Sequence, residues 1–159
     1  MKVNEIQNPD EKADVCNDIL RALPDWFGVE ASIVDYVNQV KEMPFFTVSD
    51  GEKTLGFVAL KIHNPHTAEV CVMAVLKEYH RKGAGKQLIN CCENYCIKNG
   101  FEFLTVKTLD ESRESESYRR TRLFYASVGF RPLEVFPLLW DEANPCLFMA
   151  KCIGDSLCH

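Results

Sequence analysis

Residues 67–88 read TAEVCVMAVLKEYHRKGAGKQL, and the order of events in this stretch sets the architecture. Its first half, Thr67 to Leu76, is a nearly continuous apolar run, the composition of a central strand buried on both faces. Its second half places Gly83 and Gly85 among Arg81, Lys82 and Lys86. A glycine-rich turn that feeds a helix leaves the first amide N–H groups without carbonyl partners, at the positive end of the helix dipole. Strand, turn and helix in succession therefore form an anion site, with Gly83 and Gly85 letting the backbone approach a diphosphate closely.

What the stretch lacks narrows the ligand. A Walker A loop requires glycine five residues before Gly85 and Ser or Thr after Lys86, where this chain has His80 and Gln87; nucleotide hydrolysis is disfavoured. The dinucleotide fingerprint requires a third small residue where Leu88 stands, and an acidic ribose reader on the next strand, which offers only the misplaced Glu102; dinucleotide binding is disfavoured as well.

Outward from this centre, the helix opening near Gly83 carries Ala84, Leu88, Cys92, Tyr95 and Cys96 along one stripe and ends at Asn99-Gly100, a left-handed cap. Phe101 to Thr108 is a β-rich run that should pair parallel to the central strand. On the amino-terminal side, a first strand is expected over Lys2 to Gln7 and a helix from Pro9 to Leu23, stopped by Pro24. A second helix should run from about Glu30 to Glu42, followed by a hairpin of Phe45 to Ser49 and Lys53 to His63 about Asp50-Gly51. Asn64-Pro65-His66 marks the turn into the central strand. On the carboxyl-terminal side come the polar run Asp110 to Glu116, a helix over Ser117 to Val128 ending at Gly129, and late strands Phe130 to Phe136 and Leu147 to Cys152. The order β-αα-βββ-α-β-α-β defines an α/β chain with a mixed sheet and helices on its faces.

At 159 residues and 47% hydrophobic, one domain over residues 1–159 is expected. The net charge of −5 argues against nucleic acid as a partner, because such binders carry a basic face. No run of about 18 apolar residues is present and the first residues, MKVNEIQNPDEK, lack a signal core, so a cytoplasmic protein without a membrane partner is expected. Eight cysteines occur with no C-x2-C pair, which points to reduced thiols acting as small apolar residues and to no metal. Cys152 and Cys158 are expected to be exposed and oxidisable. A free sheet edge allows a homodimer.

The segment Thr67 to Leu88 resembles the GNAT superfamily of N-acetyltransferases, whose loop reads Gln/Arg-x-x-Gly-x-Gly/Ala after a Val-x-Val strand; a looser likeness extends over Lys2 to Lys151. The resemblance implies acetyl-CoA as co-substrate, its pantetheine arm paired with the strand backbone at Met73, Ala74 and Val75. Its diphosphate would be held by the amides of Arg81, Lys82, Gly83, Ala84, Gly85 and Lys86. His80 stands where the family more often has Gln or Arg. The segment Leu123 to Phe130, LFYASVGF, is similar to the family's Phe-Tyr-x-x-x-Gly-Phe motif, which makes Tyr125 the expected general acid for the leaving thiolate. Tyr118 occupies the place of a family asparagine. Ala68-Glu69-Val70 resembles the context in which histone acetyltransferases of the superfamily carry a catalytic glutamate, so Glu69 is the candidate base; other members use a water chain. An alkylamine, with a pKa of about 10.4, must lose a proton before it attacks a thioester. A strand N–H near Ala74 or Val75 would stabilise the oxyanion.

The implied activity is transfer of an acetyl group to a primary amine in a ternary complex. The alternative is a non-catalytic acyl-CoA sensor or scaffold. Cys71 lies on the same strand but has no basic partner in sequence, which disfavours an acyl-enzyme. His63 and His66 flank a turn, where a solvated histidine is the commoner case, and they receive no role. The acidic run 110–116 is read as a solvated loop able to attract a cationic amine. Trp26, Phe27 and Trp140 either line an acceptor pocket or pack. The acceptor stays open among small amines, antibiotics, polyamines and protein amines.

Overall fold

The computed structural model describes residues 1–154; Cys158 lies outside the described residues. Seven strands and four α-helices follow the expected order, with two late strands closing the chain. They are β1 (Lys2–Glu5), α1 (Pro9–Arg21), α2 (Glu30–Gln39), β2 (Phe45–Asp50), β3 (Lys53–Asn64), β4 (Thr67–Val75), α3 (Ala84–Asn99), β5 (Phe103–Leu109), α4 (Glu116–Ser127), β6 (Arg131–Asp141) and β7 (Asn144–Cys152). The chain divides into two compact units, one of residues 1–62 and 70–95, the other of residues 63–69 and 96–159.

In the first unit the strand order is β1-β2-β3-β4. Helix α1 begins where its sequence predicts, because Asn8 Oδ1 accepts from the N–H groups of Asp10 and Glu11 at 2.9 and 3.0 Å and Pro9 needs no donor. It ends at Arg21, before Pro24 is reached, and the Arg21 guanidinium makes two hydrogen bonds to Glu30 at 2.7 and 2.8 Å across to α2. The expected second helix tightens into a 3-10 turn over Val40–Glu42. Strands β1 and β2 pair antiparallel with Val3 opposite Val48, and β2 and β3 with Phe46 opposite Val58. Cys16, Leu20 and Ile33 from the helices meet Phe45, Phe57 and Val72 in one core, and the rings of Phe45 and Phe57 stack with centroids 5.1 Å apart. Trp26 and Phe27 pack against this core.

The second unit holds β5, β7 and β6 in that order, both pairings antiparallel. The strand expected from Phe101 starts at Phe103 for a local reason. Gly100 sits at φ 79° and Phe101 N–H turns back to Cys96 C=O at 2.9 Å, while Glu102 N–H donates to His66 C=O at 2.8 Å; both residues belong to the helix stop and its exit. Strand β6 runs on to Asp141, five residues beyond expectation, and only Phe136 of its eleven residues is not exposed. Trp140 lies on that strand, 47% exposed. The seven cysteines among the described residues are free thiols, with Cys152 exposed as expected. Among the described residues no helix is long and apolar enough to cross a membrane.

Candidate functional site

The loop expected to hold an anion lies in the first unit. Strand β4 ends at Val75, a 3-10 turn covers Lys77–Tyr79, and α3 begins at Ala84. Between them the backbone enters the left-handed region twice, at Arg81 (φ 63°) and Gly83 (φ 88°). A Cβ on Gly83 would meet no atom within 4 Å, so glycine is required there by conformation and not by space. Arg81 adopts the same region with a side chain, a strained state that functional sites tend to concentrate. The first helical hydrogen bond runs from Gln87 N–H to Gly83 C=O at 3.0 Å, so the amides just before it have no intrahelical acceptor. Ala84 and Leu88 are buried and seat the helix, while Arg81, Lys82 and Lys86 stay exposed around those amides. Positive charge and oriented N–H groups thus share one place.

His80, where the family resemblance suggested a different side chain, has a structural task. Its Nε2 donates to Val75 C=O at 2.6 Å, and its ring meets Trp26 edge-on with centroids 5.4 Å apart. The ring ties the loop to the last residue of β4. On the other side of that strand end, Leu76 N–H donates to Leu55 C=O at 2.8 Å, and Gly56 lies so close that a Cβ there would stand 2.7 Å from Ala74 C=O. Ala74 and Val75 are buried and Met73 is half-buried. A cleft of about 230 Å³ lined by Val15, Asp18, Ile19, Thr54 and Leu76 opens beside the same strand end. Cys71 Sγ lies 4.0 Å from Gln39 Oε1, and the neighbouring Cys16 thiol is pushed up to about 12 by burial and by Cys71.

Glu69 and Tyr125 lie in the second unit. Glu69 is 7% exposed and does not face water. Its Oε1 lies 2.6 Å from His63 Nε2, and both its oxygens accept from Lys107 Nζ at 3.2 Å. His63 is the last residue but one of β3, just before the turn, and Lys107 comes from β5. Neither was singled out in the sequence for this role. For His63 a signal existed, since a tight turn at Pro65-His66 brings residues flanking it together; for Lys107, 38 residues from Glu69, none did.

Tyr125 is 6% exposed on α4, with its ring between Phe124 and Phe130 at centroid distances of 5.5 and 5.4 Å. The motif that carries it is a helix stop. Gly129 at φ 100° lets Phe130 N–H donate to Tyr125 C=O at 3.0 Å and Gly129 N–H to Ala126 C=O at 3.2 Å, the two bonds of a Schellman cap. The spacing of Tyr125, Gly129 and Phe130 therefore fixes the last turn of the helix and the depth of the tyrosine. Tyr118 is half-buried, and burial pushes its phenol up. The polar run before α4 is organised internally. Asp110 accepts from Ser112 N–H and Oγ–H at 3.1 and 2.7 Å, and Ser115 caps the helix by accepting from Tyr118 N–H. Burial alone would raise the Asp110 carboxyl, but these hydrogen bonds, one from Glu111 N–H and the charge of Arg122 hold it below the usual range.

A strand leading through two left-handed residues into a helix with free amides, and a buried tyrosine on a Gly-Phe helix stop, are the marks of one class of protein. The family model described as "Acetyltransferase (GNAT) family" matches residues 12–130. The chain belongs to this family and is an acetyl-CoA-dependent acyltransferase. Among curated proteins it is 28% identical over 110 residues to the uncharacterized N-acetyltransferase YsnE of Bacillus subtilis, covering 69% of this chain and 70% of that one. Among solved structures it is similar to an aminoglycoside 6'-N-acetyltransferase complexed with coenzyme A (TM-score 0.76, 20% identity, 97% and 98% of the two chains covered). It is also similar to the ribosomal-protein-S18-alanine N-acetyltransferase of Escherichia coli (TM-score 0.71, 18% identity, 99% and 100% covered). One fold thus carries acceptors of different kinds.

Proposed function

We propose that the protein transfers the acetyl group of acetyl-CoA to a primary amine by direct attack within a ternary complex, with a small-molecule amine as the favoured acceptor class. The observation that carries this is the loop from Arg81 to Lys86, whose two left-handed residues deliver unpaired amides and three exposed cations to the start of α3. These amides hold the diphosphate. The backbone of Met73, Ala74 and Val75 pairs with the pantetheine arm, and an N–H near Ala74 or Val75 receives the developing oxyanion. His80 serves by fixing the Val75 end of the strand. Tyr125 gives its phenolic proton to the departing thiolate, its position set by the Gly129 stop. The amine gives up its proton at the carboxylate cluster built on Glu69. The small-molecule preference takes support from the aminoglycoside enzyme among the structural relatives.

The test is calorimetry with coenzyme A and acetyl-CoA, followed by CoA release measured with acetyl-CoA and a panel of amines: kanamycin, spermidine, tryptamine and an alanine-initiated peptide. Micromolar binding with turnover of at least one amine is expected. Binding without turnover of any would favour a sensor or scaffold, and no heat at millimolar coenzyme would refute the site.

A further inference from the structure

We infer that the atom taking the acceptor's proton is Nδ1 of His63, and that Glu69 acts through it as a positioning residue; this rests on the acetyl-transfer reading above. Glu69 is poorly placed to meet a substrate itself. It is buried, its Oε1 is shared between His63 Nε2 and Lys107 Nζ, and its Oε2 is held by the same ammonium. The side chains of His63 and Lys107 reach solvent, 33% and 29% exposed against 9% for Glu69, and of the two only the imidazole has an acceptor nitrogen, since an ammonium only donates.

The tautomer follows from the partners. An ionised carboxylate only accepts, so the 2.6 Å contact requires the proton on Nε2. In the neutral ring the other nitrogen, Nδ1, then carries the lone pair that can take a proton. This is the logic of a carboxylate–histidine pair, in which the acid selects the tautomer and stabilises the imidazolium that forms. Lys107 Nζ donates to both carboxylate oxygens at 3.2 Å and fixes the carboxylate against the ring. The other turn histidine provides the contrast. His66 Nδ1 lies 3.2 Å from Glu102, but the two side chains are 67% and 38% exposed, a surface pair that solvent screens.

In the reaction the acceptor ammonium gives one proton to His63 Nδ1. The nitrogen lone pair so freed forms the C–N bond as the C–S bond breaks, and the nitrogen releases a second proton to solvent. The thiolate takes the phenolic proton of Tyr125, which is restored from solvent, and the imidazolium returns its proton to solvent. One proton is released per amide formed, as ammonium and thioester become amide and thiol.

The experiment first establishes acetyl-CoA binding and an amine turned over by the wild-type protein from the panel of kanamycin, spermidine, tryptamine and peptide. His63→Ala is then assayed with that amine, with and without added imidazole. A fall in kcat/KM for the amine of about 10²–10⁴-fold is expected, with acetyl-CoA affinity unchanged and partial rescue by imidazole. His66→Ala should stay within about twofold of wild type, as expected for a screened surface pair. Histidine ¹⁵N resonances of the wild-type protein should show His63 protonated at Nε2 and bare at Nδ1. Undiminished turnover in His63→Ala, a loss that imidazole does not restore, or the opposite tautomer would each overturn the inference while leaving acetyl transfer standing. A wild-type protein that binds acetyl-CoA yet turns over none of the amines overturns the parent reading, and this one with it.

Discussion

Gly56→Ala probes the strand end proposed to pair with acetyl-CoA. The Cβ it adds would stand 2.7 Å from Ala74 C=O, 2.9 Å from Val75 Cγ2 and 3.1 Å from Val75 Cα. A carbon–oxygen contact is comfortable at roughly 3.3–3.6 Å, so β3 and β4 must part by about 0.6 Å at a place where the obstructing atom is backbone and cannot swing aside. Overpacking of this kind costs about 1–3 kcal/mol, while alanine recovers about 0.4–1 kcal/mol by restricting the unfolded chain. The balance is a destabilisation of about 1–2 kcal/mol, or a fall in Tm of about 2–8 °C for a chain of this size. Because the displaced atoms belong to Ala74 and Val75, acetyl-CoA affinity should fall about tenfold, equivalent to roughly 1.4 kcal/mol. Denaturant melts and calorimetry read the two effects. Gly51→Ala is the control, since Gly51 sits at φ 60° with nothing within 4 Å of its Cβ position. It should lose stability and keep acetyl-CoA affinity. A Gly56→Ala protein more stable than wild type by about 0.4–1 kcal/mol would refute the close approach, because the entropic gain would then stand unopposed.

Three further outcomes are expected. Tyr125→Phe should keep acetyl-CoA affinity nearly unchanged while kcat falls by about 10²-fold or more, read by steady-state kinetics; unchanged turnover would remove its acid role. Cys71→Ala should retain more than about half of wild-type turnover if transfer is direct, and complete loss with acetyl-CoA still bound would count against direct transfer. Cys16, its thiol raised by burial from 9.0 to about 12, should resist alkylation in the native state while exposed Cys152 reacts. Because its folded value lies above its unfolded one, its contribution to stability is complete below about pH 9 and is lost as pH rises towards 12, where only the unfolded chain ionises. Denaturant melts between pH 8 and 10.5 should show this decline, and Cys16→Ala should flatten it.

The elements legible from sequence are those whose cause is local. Asn8 and Pro9 start α1, Gly100 ends α3, and the left-handed Gly83 turns the chain into that helix, each through hydrogen bonds or torsions confined to a few residues. The Tyr125-Gly129-Phe130 spacing is legible for the same reason, since the helix stop that sets it spans six residues. Glu69 could be picked out by its context, but whether it met water or a partner could not, because that depends on how distant strands come together. His80 was visible as a departure from the family pattern, whereas its bond to Val75 C=O required the turn to be folded.

The sequence by itself determined the order of strands and helices, the left-handed turn at Gly83 into α3 and the helix stop beneath Tyr125, because backbone torsions and capping are short-range physics written in neighbouring residues. Only the tertiary structure decided that Glu69 is held by Lys107 from 38 residues away, that His63 is the ring presented to solvent beside it, and that Gly56 leaves room for the end of β4. Those facts depend on strand register and packing, where a shift of one residue would send each side chain to the opposite face.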